Sequence, residues 1–304
     1  MPQKSNVIIF DMTWLLISQN SETDNIKSII SQKYKGAVIY DCGVNKEELQ
    51  DLYQILPSVT NCVLLVDSVK ELALEFVVGY ICGQGISLYT TCKDLPKEVL
   101  DFEDILVFES QENLEKHIKS KAKQIINDNL AVESYNFLFE NGLPFDADNF
   151  AKQIEKGKQE LCECYINAGM DVNARDSDGT PMLNIAARSD NLDFVKWLID
   201  MGADIKAVSS DRGYTAVMDA VWRGNKEITK FLIEQGSDLN TISKEGQTML
   251  VLAVGADKKE IVKMLVENGA DPDIPDGMGM SAYGYAQLFK KQEIISILEK
   301  YHKE

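Results

Sequence analysis

The hydrophobic pattern of this chain changes about a third of the way along it. Over residues 1–110 the apolar positions come as short unbroken runs. They are Val7-Ile8-Ile9-Phe10, Ala37-Val38-Ile39-Tyr40, Cys62-Val63-Leu64-Leu65-Val66, Ile86-Ser87-Leu88-Tyr89 and Ile105-Leu106-Val107-Phe108. Runs of that length without polar alternation fit strands covered on both faces. Helical stretches such as 45–55 and 70–83 separate them. This alternation predicts a Rossmann-like α/β domain with a parallel sheet of about five strands, its ligand crevice at the carboxyl ends of the strands. Later the period becomes helical. Leu192, Val195 and Trp197-Leu198-Ile199 line one amphipathic stretch, and Ile261-Val262 with Leu265-Val266 line another, with Lys and Glu between them. Trp197 is expected in the core.

The helical part repeats. Gly169-Met170-Asp171-Val172 returns as Gly202-Ala203-Asp204-Ile205, Gly236-Ser237-Asp238-Leu239 and Gly269-Ala270-Asp271-Pro272. Gly179, Gly213, Gly246 and Gly279 keep the same step, as do Ala186, Ala220, Ala253 and Ala286. Glycine at Gly236 suits a left-handed helix end, and Asp238 and Asn240 suit the turn after it. Thr215 and Thr248 stand where helix N-caps are needed. Three series in one register resemble the ankyrin repeat, which implies an all-α solenoid whose usual product is a binding surface. The expected organisation is an α/β domain over 1–110, a helical N-terminal cap over 111–144, and about five repeats over 145–304, the last a polar C-terminal cap.

Charge and cysteines narrow the class. The chain of 304 residues carries a formal charge of −17, with eight lysines against sixteen acids in 1–110. An acidic chain without a basic run is a poor nucleic-acid binder. No long apolar run is present, so neither a signal peptide nor a membrane span is expected. Cysteines 42, 62, 82, 92, 162 and 164 are scattered, as buried reduced thiols of a cytoplasmic protein would be. Cys162 and Cys164 are two apart and do not share a helix face, so no metal site is expected, and no cofactor. There is no G-x-G-x-x-G and no P-loop. His117 and His302 are the two histidines, both expected on exposed helices, which leaves no His-based triad.

One segment of the α/β region is more specific. Val63-Leu64-Leu65-Val66-Asp67 leads into Ala73-Leu74-Glu75-Phe76-Val77-Val78-Gly79-Tyr80-Ile81-Cys82-Gly83-Gln84-Gly85. This resembles the nucleoside 2-deoxyribosyltransferase family, in which a strand, an Asp-bearing loop and an E-x-G-Y-A-x-x-x-G-K helix recur. Ile8-Ile9-Phe10-Asp11-Met12-Thr13-Trp14 resembles that family's first strand and loop. The resemblance implies Glu75 as nucleophile with Asp67 beside it, Tyr80, Asp11 and Trp14 as substrate-binding residues, and a nucleoside-like ligand. Glu71-Leu72 and Val69 replace the family's Gly-Thr and Asp, so the domain is expected to be non-catalytic. The alternative is a deoxyribosyltransferase-like or N-glycosidase-like enzyme targeted by the repeats.

The four arginines are Arg175, Arg188, Arg212 and Arg223, and all fall at hairpin or first-helix positions of the repeat register. Tyr214 and Trp222 share a repeat with two of them. Arg, Trp and Tyr are over-represented at binding hot spots. A protein-binding surface of Arg188, Arg212, Tyr214, Trp222 and Arg223, extended by Met278 and Met280, is therefore expected on the concave face. Its partner would be acidic, or the chain's own N-terminal domain.

Overall fold

The structure is a computed structural model that describes residues 12–19, 23–44, 52–70 and 72–303. These divide into two compact units, one ending at Ser134 and the other beginning at Tyr135.

The first unit is a five-stranded parallel sheet in the order β2-β1-β3-β4-β5. The strands are β1 (Thr13–Ser18), β2 (Val38–Gly43), β3 (Asn61–Leu65), β4 (Ser87–Thr90) and β5 (Ile105–Val107). Helices α1 (Asp24–Lys33), α2 (Leu72–Gln84), α3 (Lys97–Leu100) and α4 (Gln111–Ser120) accompany them. Side chains alternate along each central strand, and both faces are apolar. Leu15, Ile17, Cys62, Leu64 and Leu88 enter one core with Leu74, Val77 and Ile81 of α2. Trp14, Leu16, Val63 and Tyr89 enter the other with Ile26 and Ile30 of α1 and Leu114 and Ile118 of α4. The sheet is thus doubly wound, and its strand order reverses between β1 and β3.

Several expectations change here. The first strand among the described residues is Thr13–Ser18; Val7-Ile8-Ile9-Phe10 lie outside those residues, as does most of the helical stretch 45–55. Residues 111–134, expected within a cap for the repeats, group with the sheet because Leu114, Ile118 and Ile125 fill its second core. His117 is half-buried against Tyr89 and Phe108, with ring centroids 6.0 and 5.1 Å away.

Helix α5 (Ala122–Glu140) runs across the boundary between the units. Five helix pairs follow: α6 (Ala147–Glu155) and α7 (Gln159–Asn167), α8 (Met182–Ala187) and α9 (Leu192–Asp200), α10 (Ala216–Arg223) and α11 (Lys226–Glu234), α12 (Met249–Gly255) and α13 (Lys259–Glu267), and α14 (Ala282–Leu288) and α15 (Gln292–Leu298). Antiparallel bridges Arg175–Pro181, Val208–Thr215, Ile242–Thr248 and Pro275–Ser281 close a hairpin before four of these pairs. Ala186, Ala220, Ala253 and Ala286 are fully buried, which lets neighbouring helices approach closely.

The repeat unit is stitched by two recurring devices. In each G-x-D loop the Asp carboxylate accepts from the amide two residues on: Asp171 from Asn173 (2.8 Å), Asp204 from Lys206 (2.9 Å), Asp238 from Asn240 (2.9 Å) and Asp271 from Asp273 (2.9 Å). Hairpin tips then bond to their neighbours, Ser210 N–H to Gly179 O (3.0 Å), Lys244 N–H to Arg212 O (2.9 Å) and Gly277 N–H to Gly246 O (3.0 Å). Thr248 caps α12 through the Val251 amide (3.2 Å), as expected, but the Thr215 hydroxyl is buried without a partner. Trp197 is only half-buried and packs edge-on against Phe194 at 5.2 Å; Phe194 is the aromatic that fills that core.

Candidate functional site

The face of the repeats that gathers most chemistry is built by α8, α10 and the hairpin between them. Asp219 lies in the run Ala216-Val217-Met218-Asp219-Ala220-Val221, and being on a wholly buried stretch of α10 it is 0% exposed. A buried carboxylate must find donors. Arg188 Nε and Nη2 supply two, at 3.0 Å to Oδ1 and 3.3 Å to Oδ2. Asn184 Nδ2 donates at 2.9 Å and Arg212 Nη2 at 3.4 Å. Burial pushes the Asp219 carboxyl up, against the pull of the Arg188 guanidinium.

Arg212 is held from its other sides as well. Its guanidinium lies 4.7 Å from the centroid of the Tyr214 ring and 5.0 Å from that of Trp222. Arg223 lies 5.7 Å from the same Trp222 ring, and its Nε donates to the Arg188 carbonyl at 3.1 Å. Cation–π contacts of this kind fix a guanidinium without consuming its N–H donors. Trp222 is 46% exposed, whereas Tyr214 is only 3% exposed and donates its hydroxyl to Gln247 Oε1 at 2.9 Å. Tyr214 therefore supports the surface from beneath and does not present itself to a partner, because its ring is covered by Arg212 and its own repeat. Met278 is 82% exposed and Met280 half-buried, on the hairpin before α14. Arg175 is tied to the backbone, with Nη1 donating to Gly179 O and Val208 O at 2.9 and 2.7 Å. Asp219 and Asn184 do not stand out from the repeat register, although an Asp inside an otherwise apolar helix is a usable signal.

The α/β unit has a second candidate. A cavity of about 340 Å³ opens where the carboxyl ends of β1, β3 and β4 meet, beside Ser18, Gln19, Asp67, Thr91 and Lys93. An adjoining one of about 250 Å³ shares Gln19, Val66 and Asp67 and reaches Lys70 and Leu74. This is the crevice where the strand order reverses. Gln19 closes it from β1, with its amide bonded to Leu65 O (3.1 Å) and its Oε1 accepting from the Asp67 amide (3.2 Å). Lys70 is drawn to Asp94 at 2.9 Å, and Ser68 donates to the same carboxylate.

Of the residues that the transferase resemblance implied, Asp67 lines both cavities. Glu75 is exposed in the first turn of α2 and lines neither; Tyr80 is half-buried against the core under α2. Trp14 is 0% exposed, stacked on Tyr89 at 5.7 Å and edge-on to Tyr34 at 5.1 Å, so it is a core residue and not a substrate contact. Its place follows from the strand: Trp14 belongs to β1, not to a loop. Asp11 lies outside the described residues. Gln19, Thr91 and Lys93 were not legible, because their meeting depends on topology and not on any motif.

Cys62, Cys92, Cys162 and Cys164 are buried, and burial pushes the Cys164 thiol up to about 11. Among the described residues no helix is long and apolar enough to cross a membrane.

Paired helices joined through bridged hairpins at this period define a stacked helical repeat protein. A family profile described as ankyrin repeats matches in three copies, over residues 150–243 and 218–304, and the chain belongs to that family. It is 29% identical over 234 residues to an ankyrin repeat-containing protein of Treponema pallidum, covering 76% of this chain and 78% of that one. That stretch is longer than the span matched by the profile, so the likeness continues into residues before the repeats. Two further relatives match over shorter stretches. The ankyrin repeat and SAM domain-containing protein 6 of Rattus norvegicus is 40% identical over 77 residues, 25% of this chain and 9% of its own. The palmitoyltransferase ZDHHC13 of Homo sapiens is 30% identical over 105 residues, 34% of this chain and 17% of its own.

Proposed function

We propose that this protein acts by binding another protein in the cytoplasm, on the repeat face around Trp222. The observation that carries this reading is the half-exposed Trp222 ring flanked by Arg212 and Arg223. An aromatic left in water at the end of a fixed stack has the character of a hot spot: large area, little entropy left to lose. Three guanidiniums in a chain of charge −17 favour an acidic partner. Met278 extends the face with adaptable apolar contact.

The α/β unit is best read as non-catalytic, a holder of a small nucleoside-type ligand at the crevice around Asp67. Support for the ligand is the cavity at the strand-order reversal. Against turnover stands Glu75, exposed and outside that cavity among the described residues.

The test of the binding reading is affinity purification with wild-type and Trp222→Ala bait, followed by reconstitution with the purified partner. Loss of that partner with an unchanged melting temperature supports it. Equal recovery by both baits rules out this face. For the α/β unit, wild type should release no free base from deoxynucleosides above the Glu75→Ala control.

A further inference from the structure

The arginine cluster carries more information than its charge. Each of its three guanidiniums is tethered through Nε: Arg188 to Asp219 Oδ1 (3.0 Å), Arg212 to Asp211 Oδ2 (3.4 Å) and Arg223 to the Arg188 carbonyl (3.1 Å). Arg188 and Arg212 meet at one carboxylate oxygen, and Arg212 and Arg223 meet over one indole ring. The three are therefore neighbours held by inward contacts. Among the described residues, the hydrogen bonds and ion pairs of these three side chains run through Nε and Nη2, and the half-exposed Trp222 ring lies beside them.

Tethering of this kind has a purpose in recognition. A free arginine loses rotamer entropy on binding an anion; an arginine already fixed loses less and presents its fork in a set geometry. A single carboxylate has two oxygens and one charge, which one guanidinium satisfies. Arg188 and Arg212 already spend Nε and Nη2 on Asp219 and Asp211, so what each can offer is Nη1, beside the Nη groups of Arg223. Donors on three guanidiniums still exceed a carboxylate's need, and they suit an anion with three oxygens and close to two charges. Asp219 is buried beneath them, where it can neutralise them to a degree and orient them but cannot compete for their outward donors.

We infer that the Arg188, Arg212 and Arg223 cluster binds a phosphoryl group carried by an extended peptide, with Asp219 as the positioning residue and Trp222 receiving a neighbouring side chain. This rests on the reading of that face as the protein-binding surface and names what the face selects. Proteins that read phosphorylated segments through arginine clusters use the same physics of paired charge-assisted hydrogen bonds.

The experiment uses the full chain and two immobilised degenerate peptide libraries, one with phosphoserine at the central position and one with glutamate there. Selective retention on the phosphoserine library, by tenfold or more, is the expected result. It should fall at least tenfold for Arg223→Gln, a change at an exposed side chain, and for Asp219→Asn, which removes the carboxylate charge that holds Arg188 and Arg212. Circular dichroism melts would verify that each variant is folded. If Asp219→Asn proves unfolded, Arg212→Lys substitutes: it keeps the charge and loses the fork, and selectivity should still fall. Equal retention on both libraries overturns the phosphoryl assignment but leaves an acidic-peptide surface standing. Retention on neither library, in a protein shown to be folded, overturns the surface reading as well. Retention on the phosphoserine library that all three variants share would place the phosphate elsewhere on the chain and also overturn the assignment.

Discussion

Trp222 and Phe194 lie on neighbouring repeats, and burial gives them opposite roles. Phe194 is 1% exposed and fills the core between helices, so Phe194→Ala should cost about 3–5 kcal/mol as a cavity. Trp222→Ala should change stability little and weaken partner binding by about 2 kcal/mol. Urea denaturation of the two variants decides between these roles, since a Trp222→Ala midpoint as low as that of Phe194→Ala would make the indole a packing residue. His117 offers a second test at this scale. Desolvation among Tyr89 and Phe108, aided by Lys121, holds its pKa below the usual 6.5. The unfolded chain then takes up the proton more readily than the folded one, so stability is lost as pH falls from about 6.5 towards the lowered folded value. His117→Phe keeps the ring contacts and should flatten the difference in urea midpoint between about pH 7.5 and pH 5.5. An undiminished difference would assign the acid sensitivity to other groups.

At the scale of the element, the repeated glycines are of two physical kinds. Gly202 follows helix α9 with φ +96° and nothing within 4 Å of an added Cβ, so Gly202→Ala should cost only the left-handed backbone, about 1–2 kcal/mol. Gly246 sits on a hairpin tip with φ +78°, and an added Cβ would lie 2.5 Å from the Gly277 backbone. Gly246→Ala should cost more than Gly202→Ala, because it must also push the neighbouring hairpins apart and break the Gly277 N–H to Gly246 O bond. Thermal melts of the two variants would measure the gap; equal costs would mean that the hairpin contact contributes nothing. The same glycines explain why the solenoid is legible in the sequence. A position that needs positive φ in every repeat favours glycine and so leaves a mark at a fixed step, although Asp257 and Lys290 adopt φ of 55° and 54° at the step of Gly224. The α/β unit leaves weaker marks. Its strands β2 to β5 show as apolar runs, while the first run read from the pattern, Val7-Ile8-Ile9-Phe10, lies outside the described residues and Thr13-Trp14-Leu15-Leu16-Ile17, which forms β1, is passed over. That omission makes Trp14 look like a loop residue facing a substrate. The arginines of the candidate face are legible from register. Their anchor Asp219 is not, since its role depends on side chains of two repeats meeting.

At the scale of the whole molecule, the two units hold their stability differently. The sheet unit has two apolar cores on the faces of one sheet, so a defect in one strand is felt through neighbouring strands. The repeats contact mainly their neighbours, and stability there is close to a sum of local and nearest-neighbour contributions. The boundary falls inside α5, between Ser134 and Tyr135. Trp14→Ala should remove a large buried side chain from the sheet unit at a cost of about 3–5 kcal/mol. Native-state hydrogen exchange should then show faster exchange of amides from β1 to the first half of α5, with those of α8 to α15 unchanged. Phe194→Ala should do the reverse, and most strongly in α8 to α11. If Trp14→Ala instead raises exchange in the last helix pair, α14 and α15, the units unfold as one, and a ligand at the Asp67 crevice could then tune the repeat face through stability alone. If the effects stay separate, the crevice and the arginine cluster act as independent sites on one chain, and any coupling between them must come through a partner that touches both.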